Sequence, residues 1–214
     1  YLDGLNPYAQ KVSAVNTIVI GKDRKLVGYN TDGPGFLAHL TEIGFPTKEK
    51  RVVMLGAGGA ARAVLSALCM IPERPQQIKI YDIEHEKAER LVSDLKKNMN
   101  GDILEAVMSI DDLDIELSDL LINTTPVGMK PTDIPLIDEG TLHANLCVYD
   151  LIYNPAQTTL LKMAQEKGAK TSNGLGMLFY QGVLSFQHWA GIELPGNVKA
   201  KMRKALNDGL KQRM

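Results

Sequence analysis

From Arg51 onward the chain alternates short apolar runs with longer amphipathic ones. "RVVMLG" (51–56) is continuously apolar up to a glycine, and Ala60–Met70 then carries an alanine-rich helical pattern. "IKIYD" (78–82) predicts a strand, and Glu86–Asn98 predicts a helix with Ala88, Leu91 and Leu95 on its apolar face. "LLINTT" (120–125) and "LCVYDLIY" (146–153) are strand-like, "TLLKMAQEKG" (159–168) is a helix stopped by Gly168, and the short "AKTSN" follows. Continuously apolar strands alternating with helices specify a parallel sheet covered on both faces. Upstream, "AVNTIVI" (14–20) and "KLVGYNT" (25–31) flank "GKDR" and predict a hairpin turning at 21–24. "GPGFLAHLTEIG" (33–44) then reads as a helix with Phe36, Leu37, Leu40 and Ile43 on one face and Gly44 as its stop. The tail from Met177 is helical, and 195–212 forms a basic amphipathic helix whose Lys-rich outer face is explained by solvent alone.

Composition narrows the function classes. The 214 residues suffice for one sizeable core, or for a domain of about 150 residues and a smaller lobe. No apolar run approaches the roughly 18–20 residues of a membrane span, which argues against insertion. Net charge is -1, with Lys and Arg spread along the chain, so the basic footprint that nucleic acid requires is missing. Cys69 and Cys147 sit far apart in apolar settings without metal-ligand spacing, as buried free thiols of a cytoplasmic protein would. No metal site is expected. The chain opens at "YLDGLNPY" without a methionine and reads as a fragment.

Gly56, Gly58 and Ala61 fit G-x-G-x-x-G/A directly after a strand and directly before a helix, the context of a dinucleotide fingerprint. Gly56 permits the sharp turn, Gly58 lets backbone approach a pyrophosphate, and helix N-terminal amides meet its charge. Gly56, Ala57, Gly58, Gly59 and Ala60 are the candidate phosphate-binding residues. The fold class is therefore α/β, a Rossmann-like doubly wound parallel sheet. About 26 residues beyond Gly56 a strand ends in Asp82, near the distance at which a carboxylate binds the ribose hydroxyls of NAD. Such an anion repels the 2′-phosphate of NADP, so NAD is the expected cofactor, with NADP as the second option.

"AVNTIVI", "GYNTDGPGF", "NTTPVGM", "YDLIYNP" and "NGLGMLFYQG" occur in that order around the glycine loop. Together they resemble the shikimate dehydrogenase family, quinate/shikimate dehydrogenases included, over nearly the whole chain. The resemblance implies a two-domain enzyme that exchanges hydride between nicotinamide and the secondary alcohol of shikimate or quinate. It implies that Asp32 is the acidic member of a catalytic Lys/Asp pair and that Asn16, Asp32, Tyr153 and Gln181 bind the small-molecule substrate. It assigns cofactor contacts to Thr124, Pro126, Met129, Leu151, Gly174 and Met177. Losing hydride from carbon also requires losing a proton from oxygen, which is the chemical need for an acid–base group. Taken alone, "NTDG" is a turn, Asp82 a strand-end residue, "NTTPVGM" a strand exit, Tyr153 a core aromatic and "GLGM" a close-packed helix start.

The family's catalytic lysine and its carboxylate-gripping hydroxyls come from an N-terminal domain preceding "AVNT", and this chain begins after them. Lys11 is assigned no catalytic part. The expected organisation is residues 1–32 as a remnant of the substrate domain, 33–176 as the dinucleotide-binding domain with its linking helix, and 177–214 as closing C-terminal helices. A chain so organised binds NAD and turns over only with the missing domain. It also leaves Ile18, Val19 and Val27 partly exposed or covered by another molecule, and associates through those strands, as a homodimer for instance. Two other readings stand beside this one: a nucleotide-binding fragment without turnover, and a methylene-tetrahydrofolate-type dehydrogenase sharing the glycine loop. Asn16, Asp32, Tyr153 and Gln181 together argue against both.

Overall fold

A computed structural model describes residues 1–211, so Gln212, the end of the basic helical run, lies outside the described residues. The chain divides into two compact units, Tyr1–Ile43 with Gly176–Met214, and Gly44–Leu175.

In the first unit β1 (Gly4–Leu5) leads into α1 (Pro7–Val12), followed by β2 (Thr17–Ile20), β3 (Leu26–Tyr29) and α2 (Asp32–Glu42). Asn6 caps α1, its Oδ1 accepting Ala9 N–H at 2.8 Å, and Pro7 occupies the first turn, where no amide hydrogen is needed. β2 and β3 form the expected antiparallel hairpin, closed by Gly21 N–H to Lys25 O at 2.9 Å with Arg24 at φ 65°. β1 adds parallel to β3, giving the order β1-β3-β2. The hydrophobic pattern overlooked β1 and α1, both too short to show periodicity.

The second unit carries β4 (Arg51–Leu55), α3 (Gly59–Met70), β5 (Gln77–Tyr81), α4 (His85–Asn98), β6 (Leu104–Ala106), β7 (Leu120–Asn123), β8 (Cys147–Asp150), α5 (Thr159–Glu166) and β9 (Lys170–Asn173). Its six strands are all parallel in the order β6-β5-β4-β7-β8-β9. This is the doubly wound order, with the chain reversing direction across the sheet at β4 and β7. Side chains alternate in β4: Val53 and Leu55 join Leu121, Val148, Leu160 and Leu161 in one core cluster. α3 buries Ala61, Val64, Leu65 and Leu68, and the three alanines between Ala60 and Ala63 allow close approach. Cys69 and Cys147 are free and buried, and burial pushes their thiols up to about 12 and about 11.

The chain then returns to the first unit through α6 (Leu175–Ala190) and α7 (Gly196–Lys211). Two glycines set the packing of α6 on α2. A Cβ at Gly35 would stand 2.8 Å from Gln181 N, and one at Gly176 would stand 2.1 Å from the His39 ring. α7 lays Val198, Met202 and Leu206 on Phe179, Val183 and Leu194. Arg203 places its guanidinium 4.1 Å from the Phe179 ring centre and pairs with Glu42 at 3.0 Å. Lys201 and Lys204 face solvent, as the sequence pattern implies.

Candidate active site

β4 hands its last residue to a loop built for close approach. Gly56 turns at φ 97° and donates its N–H to Tyr81 O at 2.7 Å. A Cβ there would lie 2.6 Å from Thr124 Oγ1, so any side chain at this position strains the turn. Thr124 in turn donates both its N–H (2.9 Å) and its hydroxyl (2.7 Å) to Leu55 O. At Gly58, the residue preceding α3, an added Cβ would meet nothing within 4 Å, leaving open space before a helix N-terminus that has no side-chain cap. Asp82 closes the other side, its Oδ2 accepting Ala57 N–H at 2.8 Å and its Oδ1 accepting Glu84 N–H at 2.9 Å. Around these residues lies a cavity of about 310 Å³, completed by Tyr81, Ile83, Thr125, Pro126 and Leu136. The open space at Gly58, the bare helix N-terminus and the carboxylate beside them fit a dinucleotide's pyrophosphate and ribose.

Two loops leave the neighbouring strands β7 and β8. Asn123 shapes the first: its Oδ1 accepts Thr125 N–H (3.0 Å) and hydroxyl (2.7 Å), and its Nδ2 donates to Val127 O at 3.2 Å. Gly128 takes φ 112° and donates to Asp133 Oδ2 at 2.9 Å. Asp150, wholly buried, begins the second loop. Leu151 donates its N–H to Asn123 O at 2.9 Å, while its carbonyl would stand 1.9 Å from a Cβ at Gly174. Tyr153 on this loop is 38% exposed, not a core aromatic.

The first unit gathers a separate polar cluster. Asn16 Oδ1 accepts Thr31 N–H at 2.9 Å, and its Nδ2 reaches Thr31 Oγ1 at 3.0 Å and Gln181 Oε1 at 3.3 Å. Behind it the hydroxyls of Thr17 and Ser185 stand 2.7 Å apart. Asp32 is the first residue of α2, and its N–H donates to Asn30 Oδ1 at 3.1 Å. Burial raises the Asp32 carboxyl above its ordinary value, with the Asn16 amide pulling it down less strongly. The Tyr8 hydroxyl is buried without a hydrogen-bond partner, and burial, then the Asp32 charge, raise its pKa.

The shikimate dehydrogenase (NADP(+)) of Methanocaldococcus jannaschii is 44% identical over 196 residues, covering 90% of this chain and 68% of that protein. This chain belongs to the shikimate dehydrogenase family. The family model of the shikimate 5'-dehydrogenase C-terminal domain matches residues 174–206. Among solved structures, a shikimate dehydrogenase in complex with NADP+ aligns with TM-score 0.84 at 40% identity, over 98% of this chain and 71% of that one. The quinate dehydrogenase from Corynebacterium glutamicum in complex with NAD aligns with TM-score 0.87 at 30% identity, over 97% of this chain and 72% of that one.

Within this shikimate dehydrogenase family chain, the cavity brings together Gly56, Ala57, Gly58, Asp82, Thr124 and Pro126. Gly59, Ala60, Met129, Leu151, Tyr153 and Gly174 belong to the same unit but do not line that cavity, and Met129 is 56% exposed. Asn16, Asp32 and Gln181 lie together in the first unit, which also holds Met177, buried on α6. Sequence reasoning passed over Asn123, Asp150, Thr17, Thr31 and Ser185. The signal for the first two is a polar residue closing an otherwise apolar strand, a costly position unless its hydrogen bonds are filled.

Proposed function

We propose that the Gly44–Leu175 unit binds a nicotinamide dinucleotide, NAD in preference to NADP, and that the chain serves hydride exchange with the secondary alcohol of shikimate or quinate. The observation that carries the cofactor choice is the carboxylate of Asp82 at the cavity wall, with no basic residue in the cavity lining. Basic residues of the two helices α3 and α4 have acidic partners of their own. Arg62 on α3 pairs with Asp94 at 2.9 Å, and Lys87 pairs with Glu84. The Corynebacterium glutamicum relative holds NAD, and the charge at position 82 supports the same cofactor here.

In this reading the amides at the start of α3 and the open face of Gly58 hold the pyrophosphate, and Asp82 accepts the ribose hydroxyls. Thr124, Pro126, Met129, Leu151 and Gly174 are the contacts of the nicotinamide half, which supplies the hydride acceptor when bound. Asn16 and Gln181, whose amides are already aligned at 3.3 Å, orient the substrate's hydroxyls. Asp32 takes the alcohol's proton; a carboxyl with a raised pKa is a stronger base than a free one.

Self-association belongs to the same proposal. β2 is an edge strand with Ile18 and Ile20 48% and 70% exposed, and Trp189 Nε1 donates to Ile18 O at 2.9 Å. The test of the enzymatic reading follows the near-ultraviolet absorbance of reduced nicotinamide with shikimate or quinate and either cofactor, in the complete two-domain enzyme that carries this chain. NAD-dependent oxidation of one of the two acids supports it. NADH binding without turnover, unaffected by either acid, would reduce it to a nucleotide-binding role.

A further inference from the structure

Asp150 is a buried carboxylate whose three hydrogen-bond donors are all uncharged. Its Oδ1 accepts Asn123 Nδ2 at 3.0 Å and Ile152 N–H at 3.1 Å, while its Oδ2 accepts the Thr158 hydroxyl at 2.6 Å. An ionised group in an apolar core costs stability unless its bonds are filled, and an apolar residue would close β8 at lower cost. What the carboxylate provides is connection. Asn123 and Asp150 are register partners at the ends of β7 and β8. Through Asn123 the bonds run to Thr125 and Val127 in one loop; through Ile152 they enter the other. Thr158, the N-cap of α5, anchors the far side by accepting Leu161 N–H at 3.3 Å. Leu151 is held between Asn123 O and Gly174, so the second loop has little freedom to shift once Asp150 is in place.

We propose that Asp150 is a positioning residue that locks the loops 124–129 and 151–153 into one arrangement, so that both present their cofactor contacts together. Asp150 does not line the cavity and acts only through Asn123, Ile152 and Thr158. This inference rests on the cofactor reading above for its effect on binding, but the linkage of the loops stands apart from it.

The test measures amide hydrogen exchange and NADH affinity in the wild-type chain, Asp150→Ala, Asp150→Asn and Val148→Ala. Val148 is buried on the same strand and bonds to neither loop, so its truncation controls for lost stability. Asp150→Ala is expected to speed exchange in 124–129 and 151–153 together, with β4 unchanged, and to weaken NADH binding about tenfold or more. Asp150→Asn keeps an oxygen for Asn123 and Ile152 and offers an amide to Thr158, so it should restore most of both. Val148→Ala should lower Tm while leaving loop exchange and affinity within twofold of wild type. Faster exchange in one loop only, or a response no larger than that of Val148→Ala, would overturn the proposal. Should Asp150→Ala not fold, Asn123→Ala breaks the same link, and unchanged exchange at 151–153 would overturn it equally. A wild-type chain that binds no NADH would instead overturn the cofactor reading, while exchange would still decide the linkage.

Discussion

The carboxylate of Asp82 accepts the Ala57 amide at 2.8 Å, so the acid at the end of β5 is joined to the middle of the glycine loop. One side chain thereby shapes the glycine turn and, in the proposed reading, sets the charge that meets a ribose. Asp82→Asn keeps an oxygen for Ala57 but removes the negative charge. NAD affinity should fall relative to NADP by about 1.5–3 kcal/mol, the range of a hydrogen bond to a charged group. Calorimetric titration of both cofactors against both proteins checks this, and an unchanged ratio would mean that Asp82 does not meet the ribose.

The first two glycines of the loop should respond in opposite ways. Gly56→Ala puts a Cβ 2.6 Å from Thr124 Oγ1 on backbone at φ 97°, and should cost about 1–3 kcal/mol of stability. Gly58→Ala has no clash within 4 Å, so Tm should hold while the new methyl obstructs the pyrophosphate and dinucleotide affinity drops. Thermal unfolding and cofactor titration of the pair separate fold from function at adjacent turns of one loop.

Asp32 should be a residue whose removal stabilises. Burial raises its folded-state pKa, whereas in the unfolded chain the carboxyl ionises at lower pH. Between the two values the folded protein binds more protons, so stability falls as pH rises through that window and the cost persists above it. Asp32→Asn should therefore melt higher than wild type at pH 7 and alike near about pH 3, where the carboxyl is protonated in both states. In turnover assays of the complete two-domain enzyme the same variant should lose about 10²–10⁴-fold in kcat, the usual contribution of an acid–base group. A variant with lowered Tm and near-normal turnover would make Asp32 a structural helix-start residue.

Much of this was legible because it is local. Val52–Leu55 and Leu120–Ile122 are buried on both faces of a parallel sheet and so read as unbroken apolar runs, while in β5 the buried Ile78 and Ile80 alternate with half-buried Lys79 and Tyr81. The helix over 33–44 was legible too, but its start was hidden: Asp32 and Pro34 occupy a first turn in which proline is harmless, while "NTDGPG" reads as a turn. β6 went unseen because three residues, Leu104–Ala106, at a sheet edge carry no period. The bonds of Asp150 and Asn123 were invisible for a different reason. Asn123 and Asp150 are 27 residues apart and bond to each other only once β7 and β8 pair, and that one bond joins their otherwise local partners.

The edge of β2 should govern self-association. Ile20 is 70% exposed on a four-residue edge strand, and a lysine there would block strand pairing without disturbing the register with Leu26. Analytical ultracentrifugation should find the wild-type chain associating and Ile20→Lys monomeric. A wild-type monomer at high concentration would count against the association.

The central claim is that the glycine loop and Asp82 together make a site for NAD. The most direct measurement is fluorescence titration of the wild-type chain with NADH and NADPH in parallel, at one ionic strength. Saturable binding of both is expected, with NADH tighter by about tenfold or more, because the 2′-phosphate of NADPH meets the Asp82 carboxylate. Tighter binding of NADPH, or no binding of either, would contradict it.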